Sequence, residues 1–121
     1  DAGAASFSEA LLQNRSLRLL DLHFNQVGDV GAARLASALE VNRGLMELKL
    51  ERNLIGGAGA EALRGAFLKN FSLTDLDLHF NPVPCITEEL LQEALGRRRA
   101  RRELLQELML MLRLAAGPTC A

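Results

Sequence analysis

The chain of 121 residues has few of the side chains that mark several common protein classes. It contains no Trp and no Tyr, so its hydrophobic core must be built largely from aliphatic side chains. Its 2 cysteines, Cys85 and Cys120, lack C-x-x-C spacing, and we interpret them as reduced thiols of an intracellular protein. No run of about 18 apolar residues is present, which argues against a transmembrane helix, and the Ala-rich start lacks the basic region of a signal peptide.

Neither sign of charge dominates the chain. Its 14 basic and 15 acidic side chains give a formal net charge of -1, so no overall field attracts nucleic acid or an anionic membrane. We expect no membrane partner. The one strong local charge run is an arginine cluster, which consists of Arg97, Arg98, Arg99, Arg101 and Arg102.

What the chain does have is a repeated pattern, L-x-x-L-x-L-x-x-N. It occupies residues 17–25, 45–53 and 73–81, so that corresponding asparagines follow one another at a constant interval of 28 residues. A fixed period of this size with this signature indicates a leucine-rich repeat solenoid.

Each repeat is predicted to run strand, turn, helix, turn, which makes the fold class α/β. The paired leucines of each pattern alternate along a strand and should share its inward face. Helices are predicted near 30–41 and 58–69, because apolar residues there lie four apart. Asn25, Asn53 and Asn81 should satisfy backbone groups in the turns. Asn14, Asn42 and Asn70 should end the helices in a left-handed conformation.

The pattern fails after Asn81. Thr87 is a fair N-cap for a third helix ending near Leu95, but no further strand pattern follows. Residues 101–114 predict a separate C-terminal capping helix, with Gly96 allowing the chain to fold back, because one continuous helix would place Arg98 and Arg102 on the apolar face. We therefore divide the chain into repeats at 1–95 and a capping helix with tail at 96–121. Since residues 1–14 match only the helical half of a repeat, we expect more repeats N-terminal to residue 1.

These repeats resemble the ribonuclease-inhibitor-like leucine-rich repeats, whose longer pattern adds a Gly, three apolar positions and an Asn after the strand. Residues 17–42 and 45–70 meet that pattern almost in full. The resemblance implies a horseshoe with strands inside and helices outside, and the binding of other macromolecules. Within the family the chain looks most like the C-terminal end of a NOD-like receptor of innate immunity, or a related cytosolic or cytoskeletal scaffold. The resemblance therefore implies a cytoplasmic location.

The outward strand positions should form columns on the concave face, about 4.8 Å apart. This face is net acidic and carries two aromatic anchors, so we predict that it binds a protein partner. The predicted partner-binding residues are Leu19, Asp21, His23, Phe24, Glu47, Lys49, Glu51, Arg52, Asp75, Asp77, His79 and Phe80.

Other residues of the sequence suggest functions different from protein binding. The arginine cluster could contact RNA phosphates or an acidic partner, and nucleic-acid sensing is the alternative function. His23, Glu51 and His79 could suggest a metal site, but two strand spacings of about 10 Å are too wide for one ion. No arrangement of nucleophile, base and oxyanion donors is recognisable, so we expect neither an enzyme nor a cofactor.

Overall fold

The chain alternates helices and short strands in a computed structural model that describes residues 1–115. In chain order the elements are α1 Ala2–Gln13, β1 Leu19–Asp21, α2 Asp29–Val41, β2 Glu47–Lys49, α3 Gly57–Lys69, β3 Asp75–Asp77 and α4 Cys85–Ala115. The α/β solenoid expected from the sequence is confirmed, and α2 and α3 begin within one residue of the predicted starts.

The strands form one parallel sheet in the order β1-β2-β3. Leu20 pairs with Leu48 and Leu48 with Leu76, so equivalent leucines stack between neighbouring repeats. All three are buried, as are the leucines two residues further along. Because side chains alternate faces along a strand, the inward face predicted from the sequence is the one that meets the helices.

The helix layer packs closely because small residues line its contacts. Leu35, Leu39, Leu63 and Phe67 are essentially inaccessible, and they fill the space between helices and sheet. Asp29 also joins successive repeats, since its Oδ1 accepts hydrogen bonds from the backbone N–H groups of Gly56 and Gly59 at 2.8 and 2.9 Å. An acceptor at the first turn of α3 satisfies groups that have no partner within the helix.

The asparagines at the helix ends connect repeats rather than adopting left-handed backbone. Asn14, Asn42 and Asn70 are extended, with φ of -86°, -68° and -82°, so the predicted conformation is wrong. Asn70 instead donates through Nδ2 to the carbonyls of Leu39 and Asn42 at 2.6 and 2.9 Å. Its Oδ1 accepts from the N–H of Leu73 at 2.6 Å. The turn asparagines act as predicted: Asn53 donates to the carbonyls of Leu22 and Leu50.

The last helix differs from the prediction. α4 begins at Cys85, so Thr87 lies inside it rather than capping it, and the helix continues through Gly96 to Ala115. The predicted fold-back at Gly96 is therefore wrong. Arg98 does reach the apolar face, where its guanidinium lies 3.8 Å from the centre of the Phe67 ring and donates to the carbonyl of Phe67. Because the Phe67 ring contacts the charge of Arg98 and backbone carbonyls accept its N–H groups, α4 continues as one helix with Arg98 on its apolar face.

Only the first part of α4 seals the last repeat. Leu91 and Leu95 are buried against the core, whereas residues 103–115 are exposed throughout. The division at 95/96 stays a prediction, and the tail at 116–121 lies outside the described residues, as does Cys120. Cys85 is exposed and carries a free thiol. In the described part of the chain, no helix is long and apolar enough to cross a membrane.

Candidate functional site

The outward strand positions lie side by side as columns across the sheet. Leu19 is paired with Glu47 and Glu47 with Asp75, while Asp21, Lys49 and Asp77 form the next column. Parallel strands hold such neighbours at a fixed spacing, so the charges of this face are presented in a rigid array. The solenoid side formed by these columns is called the strand face below.

The third column continues beyond the strands because backbone pairing continues. Phe24 donates its N–H to the carbonyl of Glu51 at 2.9 Å, and Arg52 donates to that of His79 at 3.0 Å. The column therefore contains His23, Glu51 and His79. Each histidine is tied to an acid of its own repeat: Asp21 Oδ1 lies 2.6 Å from His23 Nδ1, and Asp77 Oδ1 lies 2.5 Å from His79 Nδ1.

These contacts shift the titration of the strand face. The hydrogen bond and negative charge of Asp77 raise the pKa of His79, although partial burial opposes the shift. The hydrogen bond between Glu51 and Asp77 raises the pKa of Glu51, since two carboxylates this close ionise together only at a cost. The backbone N–H of His23 lowers the pKa of Asp21. Among residues 1–115 no group of three or more His, Cys, Asp or Glu side chains is arranged to hold a metal ion.

The rim of the strand face carries an unusual backbone feature. Phe24, Arg52 and Phe80 have positive φ of 56°, 55° and 60°, a region that costs a residue other than glycine about 1–2 kcal/mol. Each precedes a turn asparagine, whose hydrogen bonds hold the turn. The rings of Phe24 and Phe80 are 72% and 74% exposed, and the Arg52 guanidinium lies 5.0 Å from the centre of the Phe80 ring.

Three members of the arginine cluster already have partners within the chain. Arg97 pairs with Glu93 at 2.5 Å. Arg98 donates to the backbone carbonyls of Leu73 and Phe67. Arg99 pairs with Asp75 of the strand face at 2.5 Å. The structure thus spreads this cluster around a helix and uses much of its charge internally.

The Arg99 contact reveals a part of the site that the sequence did not predict. α4 passes beside the start of the sheet and forms an open notch with the strand face, lined by Glu47, Thr74, Asp75, Arg99, Arg102, Glu103 and Gln106. Of these, Thr74, Glu103 and Gln106 were not among the predicted site residues. No spacing in the sequence marks them, because their proximity depends on α4 continuing without a break.

The chain is similar to known proteins in both sequence and fold. The family model described as Leucine Rich repeat matches residues 13–36 and 41–63. No curated protein matches the chain. Among solved structures, the chain is similar to "Leiomodin-1 Actin-Binding Site 2 (ABS2)", with a TM-score of 0.72 and 23% identity over 91% of this chain and 81% of that one.

At that identity the likeness establishes the arrangement of helices and strands. The matched segments begin 28 residues apart and overlap the repeats at 17–42 and 45–70. The chain is therefore built as a leucine-rich repeat solenoid, and its matched repeats support assignment to a leucine-rich repeat family.

Proposed function

We propose that the chain is a non-catalytic protein-binding module that holds its partner on the strand face. The observation that carries the proposal is the rim, where the side chains of Phe24 and Phe80 are largely exposed and the guanidinium of Arg52 lies against the Phe80 ring. Aromatic residues and arginine supply most of the binding energy at protein interfaces. Their turns are fixed by backbone and asparagine hydrogen bonds, so little conformational freedom is lost on binding.

The charges of the strand face suggest what kind of protein fits. Its columns contain Asp21, Glu47, Glu51, Asp75 and Asp77 against the single Lys49. A partner with a basic surface and an apolar pocket for the rim would match both features, and electrostatic attraction would speed its association. Actin is a specific candidate to test, because the similar structure is named as an actin-binding site of leiomodin-1.

The proposal includes the finer assignments implied by the repeat pattern. These are the ribonuclease-inhibitor-like subtype, with a NOD-like receptor domain or a cytoskeletal scaffold as its nearest kinds, a cytoplasmic location, and a place at the C-terminal end of a longer repeat array. The 28-residue period and the full helix in every repeat support the subtype. RNA sensing is less favoured, since Arg97, Arg98 and Arg99 have partners within the chain.

The chain offers a matched pair of variants for testing the surface. Phe80 follows β3 and Phe71 precedes it, and the two rings are 74% and 75% exposed. Each ring also lies beside a guanidinium, that of Arg52 for Phe80 and that of Arg43 for Phe71, at 5.0 and 5.2 Å. Phe80→Ser and Phe71→Ser thus remove the same group from the same kind of environment on different surfaces.

Binding should be measured first with purified filamentous and monomeric actin, by co-sedimentation and by fluorescence titration. If actin binds, we expect Phe80→Ser to weaken the affinity about 10-fold, which is the loss of an ordinary aromatic anchor, and Phe71→Ser to leave it unchanged. If actin does not bind, affinity capture from cell extract, with and without nuclease, supplies the partner for the same comparison. Equal effects of the two variants would refute the strand face as the site, and loss of all partners with nuclease would favour RNA.

A further inference from the structure

The distal part of α4 exposes more apolar surface than any other part of the described chain. Eight large apolar side chains between residues 104 and 114 are each more than half exposed: Leu104, Leu105, Leu108, Met109, Leu110, Met111, Leu112 and Leu114. Together they present several hundred Å² of contiguous apolar surface, which monomeric proteins rarely leave in water. A helix with apolar residues on most sides is normally covered.

Five of these residues form a stripe on one side of the helix. With 3.6 residues per turn, Leu104, Leu105, Met111 and Leu112 all lie within about 60° of Leu108 around the helix axis. These five residues are called the α4 stripe. Its width, about a third of the circumference, is that of a helix face packed against another helix.

The α4 stripe faces away from the repeats. Arg99, Arg102 and Gln106, which line the notch beside the sheet, lie on the other side of the helix according to the same angular spacing. Leu91 and Leu95, which pack on the last repeat, are also turned well away from the stripe. The stripe can therefore meet a second helix without displacing any contact that holds α4 to the solenoid.

The order of residues in the stripe is symmetric about Leu108. Leu104 and Leu105 precede it by four and three residues, and Met111 and Leu112 follow it by three and four. When two such helices lie antiparallel on a two-fold axis at Leu108, Leu104 meets Leu112 of the other copy and Leu105 meets Met111. A two-fold interface requires such a self-complementary surface.

We propose that the α4 stripe is a homodimerisation surface, in which two copies of this chain pair their α4 helices antiparallel about Leu108. In that register residue 101 of one copy lies beside residue 115 of the other. Leu91 and Leu95, which hold α4 to the last repeat, therefore have no described residue of the partner helix opposite them. A parallel pair would instead place the two solenoids side by side. The strand faces remain open, so the dimer presents two partner-binding sites.

The stripe offers a control of the same residue type. Leu108 and Leu110 are 52% and 55% exposed, but Leu110 lies on the side of α4 away from the stripe. Leu108→Glu would place two carboxylates together on the two-fold axis, whereas Leu110→Glu would leave its carboxylate in water. Both changes affect exposed positions, so neither should alter the helical content that circular dichroism measures.

Sedimentation equilibrium of the full chain gives the first test. We expect a concentration-dependent mass approaching twice the 13.2 kDa of the monomer, a dissociation constant raised at least about 100-fold by Leu108→Glu, and little change with Leu110→Glu. A wild-type chain that is monomeric at about 100 µM overturns the proposal, and so do equal effects of the two variants or open-ended association beyond the dimer.

Disulfide trapping distinguishes the antiparallel arrangement from the parallel one. In a chain with Cys85→Ser and Cys120→Ser, a mixture of Leu104→Cys and Leu112→Cys should form the mixed disulfide, because these residues face each other across the axis. A parallel pair would join Leu104→Cys to itself, and that product would refute the antiparallel register. The result does not depend on the strand face, so it tests this surface separately from the proposed partner site.

Discussion

Replacing the asparagine at the end of α3 tests whether hydrogen bonds between repeats hold the solenoid together. Asn70 is completely buried. Its amide donates to two backbone carbonyls of the preceding repeat, and its carbonyl oxygen accepts from the N–H groups of Ser72 and Leu73 at 2.8 and 2.6 Å. The hydroxyl of Ser72 also donates to this oxygen, at 3.3 Å. Asn70→Ala removes all five hydrogen bonds at once and leaves backbone groups without partners.

The expected loss follows from the number of groups left unpaired. A buried donor or acceptor without a partner costs about 1–3 kcal/mol, but water entering the space of the missing amide recovers part of that. We therefore expect Asn70→Ala to lower the free energy of unfolding by about 4 kcal/mol. A loss of this size is a large fraction of the stability of a small domain.

Asn14 is the matched control, because it occupies the same position in the first described repeat unit. It accepts hydrogen bonds from the N–H groups of Ser16 and Leu17 at 3.0 and 2.8 Å, but it is exposed. Water can replace those bonds, so Asn14→Ala should cost about 1 kcal/mol. Asn42, buried and bonded like Asn70, should resemble Asn70.

Urea unfolding followed by circular dichroism gives the three free energies by linear extrapolation. The slope of the unfolding free energy against urea concentration should be the same in each variant, which would show that each variant exposes the same surface on unfolding. Equal losses for Asn14→Ala and Asn70→Ala would refute the reasoning, because Asn70 is buried and donates to the preceding repeat, whereas Asn14 is exposed and accepts only local hydrogen bonds.

Two further changes test packing and titration. Gly59→Ala should lower the free energy of unfolding by about 1–3 kcal/mol, because its methyl group would lie 2.7 Å from Asp29 Oδ1 and 3.0 Å from the Ala32 methyl. In the same helix, a methyl group at Gly65 meets nothing within 4 Å, so Gly65→Ala should raise that free energy by about 0.5–1 kcal/mol. Thermal unfolding midpoints that shift in the same direction for both variants would contradict this packing. The pKa of His79 is raised above 6.5, so its protonation stabilises the fold below pH 6.5 and that contribution disappears as the pH rises through the raised value. The wild-type unfolding midpoint should fall over that range more than that of His79→Gln, and identical pH profiles would count against the Asp77 contact.

The repeats could be predicted because they depend on local spacing. Alternating leucines determine the inward face of each strand, and apolar residues four apart determine the inward face of each helix. The interval between asparagines set the register of Leu20, Leu48 and Leu76, which the sheet reproduces. The same reasoning placed the residues of the strand face in columns, although their role in binding stays a prediction.

The helix-end asparagines show where local reasoning failed. Asn is common in left-handed turns, but Asn42 and Asn70 are extended, and the left-handed residues are Phe24, Arg52 and Phe80. The hydrogen-bond acceptors of Asn70 lie 28 and 31 residues earlier in the chain. A propensity taken over a few neighbours contains no information about acceptors at that distance.

The sequence by itself determined the period, the buried leucines and the alternation of strand and helix, because each repeat imposes the same local pattern on the chain. Only the tertiary structure decided that the chain continues after the third strand as one unbroken helix. Arg98 occupies the position 28 residues after Asn70. Each of the two side chains donates to the backbone carbonyl 31 residues before it, that of Leu39 for Asn70 and that of Phe67 for Arg98. This contact lets α4 continue past Gly96 and expose its apolar end. A charged residue is accepted on an apolar face when carbonyls and an aromatic ring meet its donors there, and only the folded chain brings those groups together.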